Sequence, residues 1–137
     1  MIGPLLLDTC AVIWIAESAP IAALAEEAIE TARAEGVAVS LSPISAWEVG
    51  LLASKGRIAV SRDLEAWFAG ILSLGFDLAP LAPETLIASS FLPGSPPRDP
   101  TDRILAATAR RLNACLVTRD RALLDYAMAG HLSAIAC

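Results

Sequence analysis

The chain has 137 residues, room for one domain with a single sizeable core and too few for two ordinary ones. Hydrophobic residues make up 55% of it, which excludes a disordered chain, and its longest charge-free apolar runs, over 11–16 and 104–109, fall far short of the roughly 18 residues a membrane span requires. A formal net charge of −5 does not fit a general nucleic-acid coat, and the apolar start is cut off at Asp8 with no positive flank, so no secretory leader is read and a cytoplasmic protein is expected.

Strand and helix signals alternate along the chain. A short buried strand over 4–7 ends at Asp8, and a helix over 11–16 follows, with Thr9 placed to cap it. A second helix is predicted over 20–35, with Pro20 in its first turn and Gly36 at its stop. Its apolar stripe of Ile21, Leu24, Ala25, Ala28 and Ile29 opposes Glu26, Glu27, Glu30 and Arg33. A strand over 37–41 leads into a helix over 42–55, where Ser42 is the N-cap, Pro43 the first position and Gly56 the stop. Residues 62–74 read as a further helix and 76–81 as a weak strand interrupted by Pro80, with a short helix over 83–90 after it.

The stretch 93–100 holds four of the nine prolines together with Gly94 and reads as a rigid loop that delivers Asp99 and Asp102. A helix over 100–112 then carries Asp102 in its first turn. A buried strand over 115–118 precedes a helix that Asp120 begins and Met128 ends, and 132–136 is the final strand. This alternation predicts an α/β domain, a mostly parallel sheet of about five strands flanked by helices, with ligands beyond the strands' carboxyl ends. The three cysteines, Cys10, Cys115 and Cys137, are odd in number and lack paired spacing, so they read as buried small hydrophobes rather than disulfide or zinc ligands. The one histidine, His131, follows Gly130 at a helix end, where it caps carbonyls or faces solvent.

Both Asp8 and Asp120 sit just past strand ends, and in a parallel sheet all such ends open on one edge. Asp102, in the first turn of the helix leading into the Asp120 strand, belongs to that edge too. Each has a plain structural role available: Asp120 as an N-cap, Asp102 as a complement to the helix dipole. Asp8 at the rim of a leucine strand is harder to explain that way, because charge at a core's edge is costly unless partnered. Glu48, between Ile44, Leu51 and Leu52 on an otherwise apolar helix, likewise needs a partner. Clustered carboxylates repel, so three or four together imply a cation; oxygen-only ligands point to Mg2+ or Mn2+, and such ions suit phosphodiester hydrolysis.

The strings Leu5-Leu6-Leu7-Asp8-Thr9, Ser45-Ala46-Trp47-Glu48-Val49, Arg98-Asp99-Pro100-Thr101-Asp102-Arg103 and Leu116-Val117-Thr118-Arg119-Asp120-Arg121 resemble, in order, the motifs of PIN domains. More narrowly they are similar to those of VapC-type toxins. The resemblance implies a Mg2+- or Mn2+-dependent endoribonuclease silenced by a cognate antitoxin, and a homodimer is expected from the apolar helices over 11–16 and 44–52. It implies that Asp8, Glu48, Asp102 and Asp120 form the acidic pocket, with Asp8, Asp102 and Asp120 as metal ligands and Glu48 acting through water. Thr9 and Thr118 hold water or orient carboxylates, Asp99 braces the Pro100 turn, and Arg98, Arg103, Arg119 and Arg121 contact RNA or an inhibitor. Relatives often carry a histidine and an aromatic residue where Pro97 and Thr101 stand here. The alternatives are a housekeeping PIN nuclease in RNA processing and a phosphotransfer or phosphatase α/β domain. The latter wants a second aspartate two residues after the first, where this chain has Cys10.

Overall fold

Three consecutive leucines form the centre of the fold. Leu5–Leu7 make β1, and none of them is more than 1% exposed. In this computed structural model, which describes residues 3–59 and 63–137, β1 lies between β2 (Val39–Leu41) and β4 (Cys115–Thr118). The edges are β3 (Asp77–Leu78), beside β2, and β5 (Ser133–Ala136), beside β4. Every pairing is parallel, with Leu6 opposite both Ser40 and Leu116.

Side chains alternate across a strand, so Leu5 and Leu7 join Leu41 and Val117 in one core while Leu6 joins Leu116 in the other. The first core is closed by α1 (Thr9–Ala16), α2 (Ala23–Ala34) and α4 (Leu64–Leu72), through Val12, Ala25, Ile29 and Ile71. The second is closed by α6 (Pro100–Leu112) and α7 (Arg121–Met128), through Leu105, Ala106, Ala109, Leu123 and Tyr126. A sheet covered on both faces needs strands that are apolar throughout, which is why β1 is Leu-Leu-Leu and not an alternating string. Each of those leucines contributes about 1.5–3 kcal/mol by burial, and truncating Leu6 to alanine would cost about 2–5 kcal/mol. Between α1 and α6 stands α3 (Pro43–Ser54), while α5 (Pro83–Ser89) packs on α6.

Several boundaries differ from the sequence expectation. The first helix starts at Thr9 rather than after it, because Asp8 supplies the cap. Pro20 lies outside α2, which begins at Ala23: the chain turns through a left-handed Ser18 (φ 55°), and the Ala22 amide bonds the Cys137 carbonyl at 3.4 Å instead of opening a helix. The strand expected over 76–81 shrinks to two residues before Pro80, as an edge strand permits. The helix expected over 62–74 runs over Leu64–Leu72 with Asp63 as its cap, and Arg62 lies outside the described residues. Among the described residues no helix is long and apolar enough to cross a membrane.

The proline loop before α6 is tied down from three sides. Tyr126 donates its hydroxyl to the Pro93 carbonyl at 2.5 Å, and Arg103 donates Nε to the Ser89 carbonyl at 2.9 Å and Nη1 to the Pro97 carbonyl at 3.1 Å. Gly94 sits at φ +70° against the His131 ring, which is stacked on Tyr126 with centroids 5.0 Å apart. His131 is thus a packing group for this loop rather than a simple helix-end cap. Of the three cysteines, Cys137 is buried, whereas Cys10 and Cys115 are half-buried, and all three are free thiols.

Candidate active site

Where β1 runs out, the backbone stays extended at Asp8 (φ −68°, ψ 160°), so its carboxylate faces back onto the helix it caps. Oδ1 accepts from the Thr9 amide at 2.6 Å; Oδ2 accepts from the Thr118 hydroxyl at 2.5 Å and weakly from the Cys10 thiol at 3.6 Å. Burial raises the Asp8 pKa above its ordinary value, the hydrogen bonds from Thr118, Thr9 and Cys10 work against that rise, and the Asp120 charge adds to it.

Asp120 caps α7 with Oδ1 accepting from the Leu123 amide at 3.1 Å, while its own amide donates to the Thr118 hydroxyl oxygen at 3.0 Å. The N-cap role and a place at the sheet edge therefore coexist, since a cap occupies only one carboxylate oxygen. Asp102 lies in the first turn of α6, positioned by Asp99, whose Oδ2 accepts from the Asp102 amide at 3.1 Å. Glu48 is half-buried on α3. Thr9 on α1 lines the same cleft as Glu48, and the Thr9 and Ser45 hydroxyls are hydrogen-bonded at 2.9 Å.

The four acids come from four separate segments and line one cleft of about 370 Å3, together with Thr9, Cys10, Ile13, Trp14, Leu52 and Arg119. Desolvation, then the charges of Asp120, Asp99, Asp8 and Glu48, push the Asp102 pKa up to about 8. Desolvation also raises Glu48 against the hydrogen bond from Thr9, with Asp8, Asp99 and Asp120 adding to the rise. Among the described residues none of the four is in an ion pair; Arg121 and Asp125 pair at 3.7 Å on the exposed side of α7. Surplus negative charge on hard oxygen donors is the chemistry of a Mg2+ or Mn2+ site. The carboxylates stand as separate groups around an open cleft: among the described residues no three His, Cys, Asp or Glu are gathered tightly enough to hold an ion as they stand.

The family model for the PIN domain matches residues 5–128, a span that takes in all four acids. This chain belongs to the PIN-domain family. It is 34% identical over 113 residues to Ribonuclease VapC22 of Mycobacterium tuberculosis (strain ATCC 25618 / H37Rv), an alignment covering 82% of this chain and 83% of that relative. Among solved structures it is similar in fold to a chain of VapBC2 from Rickettsia felis bound to a promoter DNA fragment, with TM-score 0.64 and 15% identity, over 97% of this chain and 98% of the other. A chain of FitAB bound to an IR36 DNA fragment matches with TM-score 0.52 and 17% identity, over 96% of this chain and 94% of the other.

Within this PIN domain the predicted arginines divide. Arg119 lines the cleft. Arg103 is turned to the proline loop and not to the cleft, and Arg121 is engaged with Asp125. Arg98 and Asp99 are exposed beyond the cleft lining, Asp99 serving as the brace for Asp102. Thr118 lies fully buried beneath Asp8. Sequence reasoning missed Ser45, although its place three residues before Glu48 puts both on one helix face. It also missed Trp14, which no local pattern marks, because only the packed fold brings it to the cleft.

Proposed function

We propose that this PIN protein is a divalent-cation-dependent endoribonuclease, the toxin of a VapBC-type pair. The observation that carries the reading is the meeting of Asp8, Glu48, Asp102 and Asp120 in one cleft with no compensating ion pair among the described residues. Similarity to Ribonuclease VapC22 supports RNA as the substrate. Asp8, Asp102 and Asp120 would hold Mg2+ or Mn2+, which when bound supplies positive charge to a scissile phosphodiester and acidifies nearby water. Thr118 holds the Asp8 carboxylate in one rotamer, and Asp120 keeps its second oxygen free for the cleft. Glu48, in the cleft beside Thr9, orients the attacking water and takes its proton. Arg119, and Arg98 from the loop, meet the phosphates.

The same acidic cleft suits a basic side chain of a cognate antitoxin. Its apolar footing, or that of a second copy of the chain, is the cleft between α3 and α4 lined by Val49, Leu64, Trp67, Phe68 and Leu72, beside the exposed Trp47 and Leu51. A cytoplasmic setting accords with both partners. The reading is tested by incubating the purified protein with a mixed RNA pool and Mg2+ or Mn2+, with and without chelator. Chelator-sensitive cleavage that Asp8→Asn abolishes is the expected result; a folded protein that cuts nothing with either ion would overturn it. Growth arrest on expression alone, relieved by the neighbouring gene, separates a toxin from a housekeeping nuclease.

A further inference from the structure

We propose that Trp14 is a positioning residue that fixes Arg119 as a clamp for the phosphodiester backbone at the rim of the acidic cleft. The inference rests on the nuclease reading above and deepens it. An arginine lining the same cleft as four carboxylates would be expected to fold onto one of them, cancelling charge on both sides. Among the described residues Arg119 does not. Its guanidinium carbon lies 3.4 Å from the Trp14 ring centroid, and Nε and Nη2 donate to the Cys137 carbonyl at 3.3 and 2.8 Å.

The cation therefore has one face on an indole and one edge on the Cys137 main-chain oxygen, an arrangement that fixes the guanidinium away from the four acids. Of the five N–H donors an arginine carries, this uses two, and the others remain for a planar oxyanion such as phosphate. Trp14 is itself partly buried against the core that Leu5 and Leu7 share, and it sits on α1, the helix that Asp8 caps. Arg119 is thereby held in a fixed relation to Asp8. The result keeps the arginine apart from the four acids within one cleft, with its remaining N–H donors open to the substrate's negative charge. An RNA backbone approaching four carboxylates needs such a separate foothold.

The test uses the full chain, a labelled single-stranded oligoribonucleotide and Mn2+, with kcat and KM measured at two salt concentrations. Trp14→Leu is expected to raise KM about tenfold, the loss of a charge-assisted contact, with kcat little changed. Trp14→Phe, which keeps a π face, is expected to restore most of the affinity. Arg119→Ala should match Trp14→Leu in KM and flatten the salt dependence, and the double variant should be no worse than Arg119→Ala alone. Equal KM for Trp14→Leu and Trp14→Phe, or additive losses in the double variant, would overturn the clamp. Should Trp14→Leu not fold, Arg119→Lys carries the test, because an ammonium keeps the charge but cannot both cover the indole and fork to Cys137; an unchanged KM then refutes the proposal. If the wild-type protein cleaves no RNA, the nuclease reading fails, and the clamp is judged on binding of the same oligonucleotide in chelator. Weaker binding by Trp14→Leu upholds it, and equal binding overturns it.

Discussion

Thr118 donates its hydroxyl to Asp8 across 110 residues of sequence, at 2.5 Å, while the same oxygen accepts the Asp120 amide at 3.0 Å. One buried side chain thus sets the orientation of two acids. The register of β1 against β4 makes this possible: Leu7 pairs with Val117, and the Asp8 amide bonds the Val117 carbonyl at 2.9 Å.

Replacing Thr118 by valine keeps the volume and removes the donor, leaving a buried carboxylate oxygen without its partner. The expected cost is about 1–3 kcal/mol, read as a lower urea midpoint at unchanged slope, with Thr118→Ser close to wild type. A valine variant with the wild-type midpoint would show that the hydroxyl contributes nothing to the fold.

Stability should also depend on pH in a definite direction. The Asp102 carboxyl titrates near 8 in the folded chain and at 3.8 ordinarily, so between these values the folded state keeps a proton that the unfolded state has released. Stability therefore falls as pH rises through that window and levels off above it. Asp8 and Glu48, also raised, add in the same sense. In chelator, the wild-type melting temperature is expected to drop from about pH 5 to pH 8, and Asp102→Asn to flatten the drop and melt no lower than wild type at the upper end. A steeper drop in the variant would reverse the argument.

Divalent cation should undo that loss. Added Mn2+ is expected to raise the melting temperature more at the alkaline end than at the acid end, because protonated carboxyls do not ligate. At a hundred times its dissociation constant a cation adds about 2.7 kcal/mol, and either Asp8→Asn or Asp102→Asn should remove most of it. Equal shifts in wild type and both variants would place the cation elsewhere.

Arg103 and Arg119 should fail differently. Arg103→Ala removes two hydrogen bonds from a charged donor, one to the proline loop and one to the end of α5, and is expected to cost about 1–3 kcal/mol of stability, with the salt dependence of RNA binding intact. Calorimetry and a binding titration on the same sample distinguish this from Arg119→Ala.

Gly94→Ala tests the loop from its other side. A methyl group there meets the His131 ring, and φ +70° is strained for alanine, so a loss of about 1–3 kcal/mol is expected in thermal unfolding. No loss would mean that the loop refolds freely and does not hold Asp99 in place.

Much of this arrangement was legible in the sequence because its cues are local. Ser42-Pro43 and Asp99-Pro100 mark their helix starts through capping and proline geometry, and both helices begin where expected. Asp8, Asp102 and Asp120 could be found because each follows a strand end or opens a helix, and Glu48 because it interrupts an apolar helix. What escaped depends on groups far apart in the chain. The delayed start of α2 reflects the Ala22–Cys137 hydrogen bond, and the roles of Arg119 and Arg103 follow from the surfaces they fall on, an indole in one case and carbonyls of α5 and the proline loop in the other. Charge alone cannot tell those two arginines apart.

The parallel sheet also bears on when, along the growing chain, the four acids can first meet. A nascent chain carries Asp8, Glu48 and Asp102 well before β4 is translated, yet the seat beside β1 that orders Asp8 stays empty until then. A chain that stops short of β4 carries three of the four acids and lacks the Thr118 hydroxyl that orients Asp8.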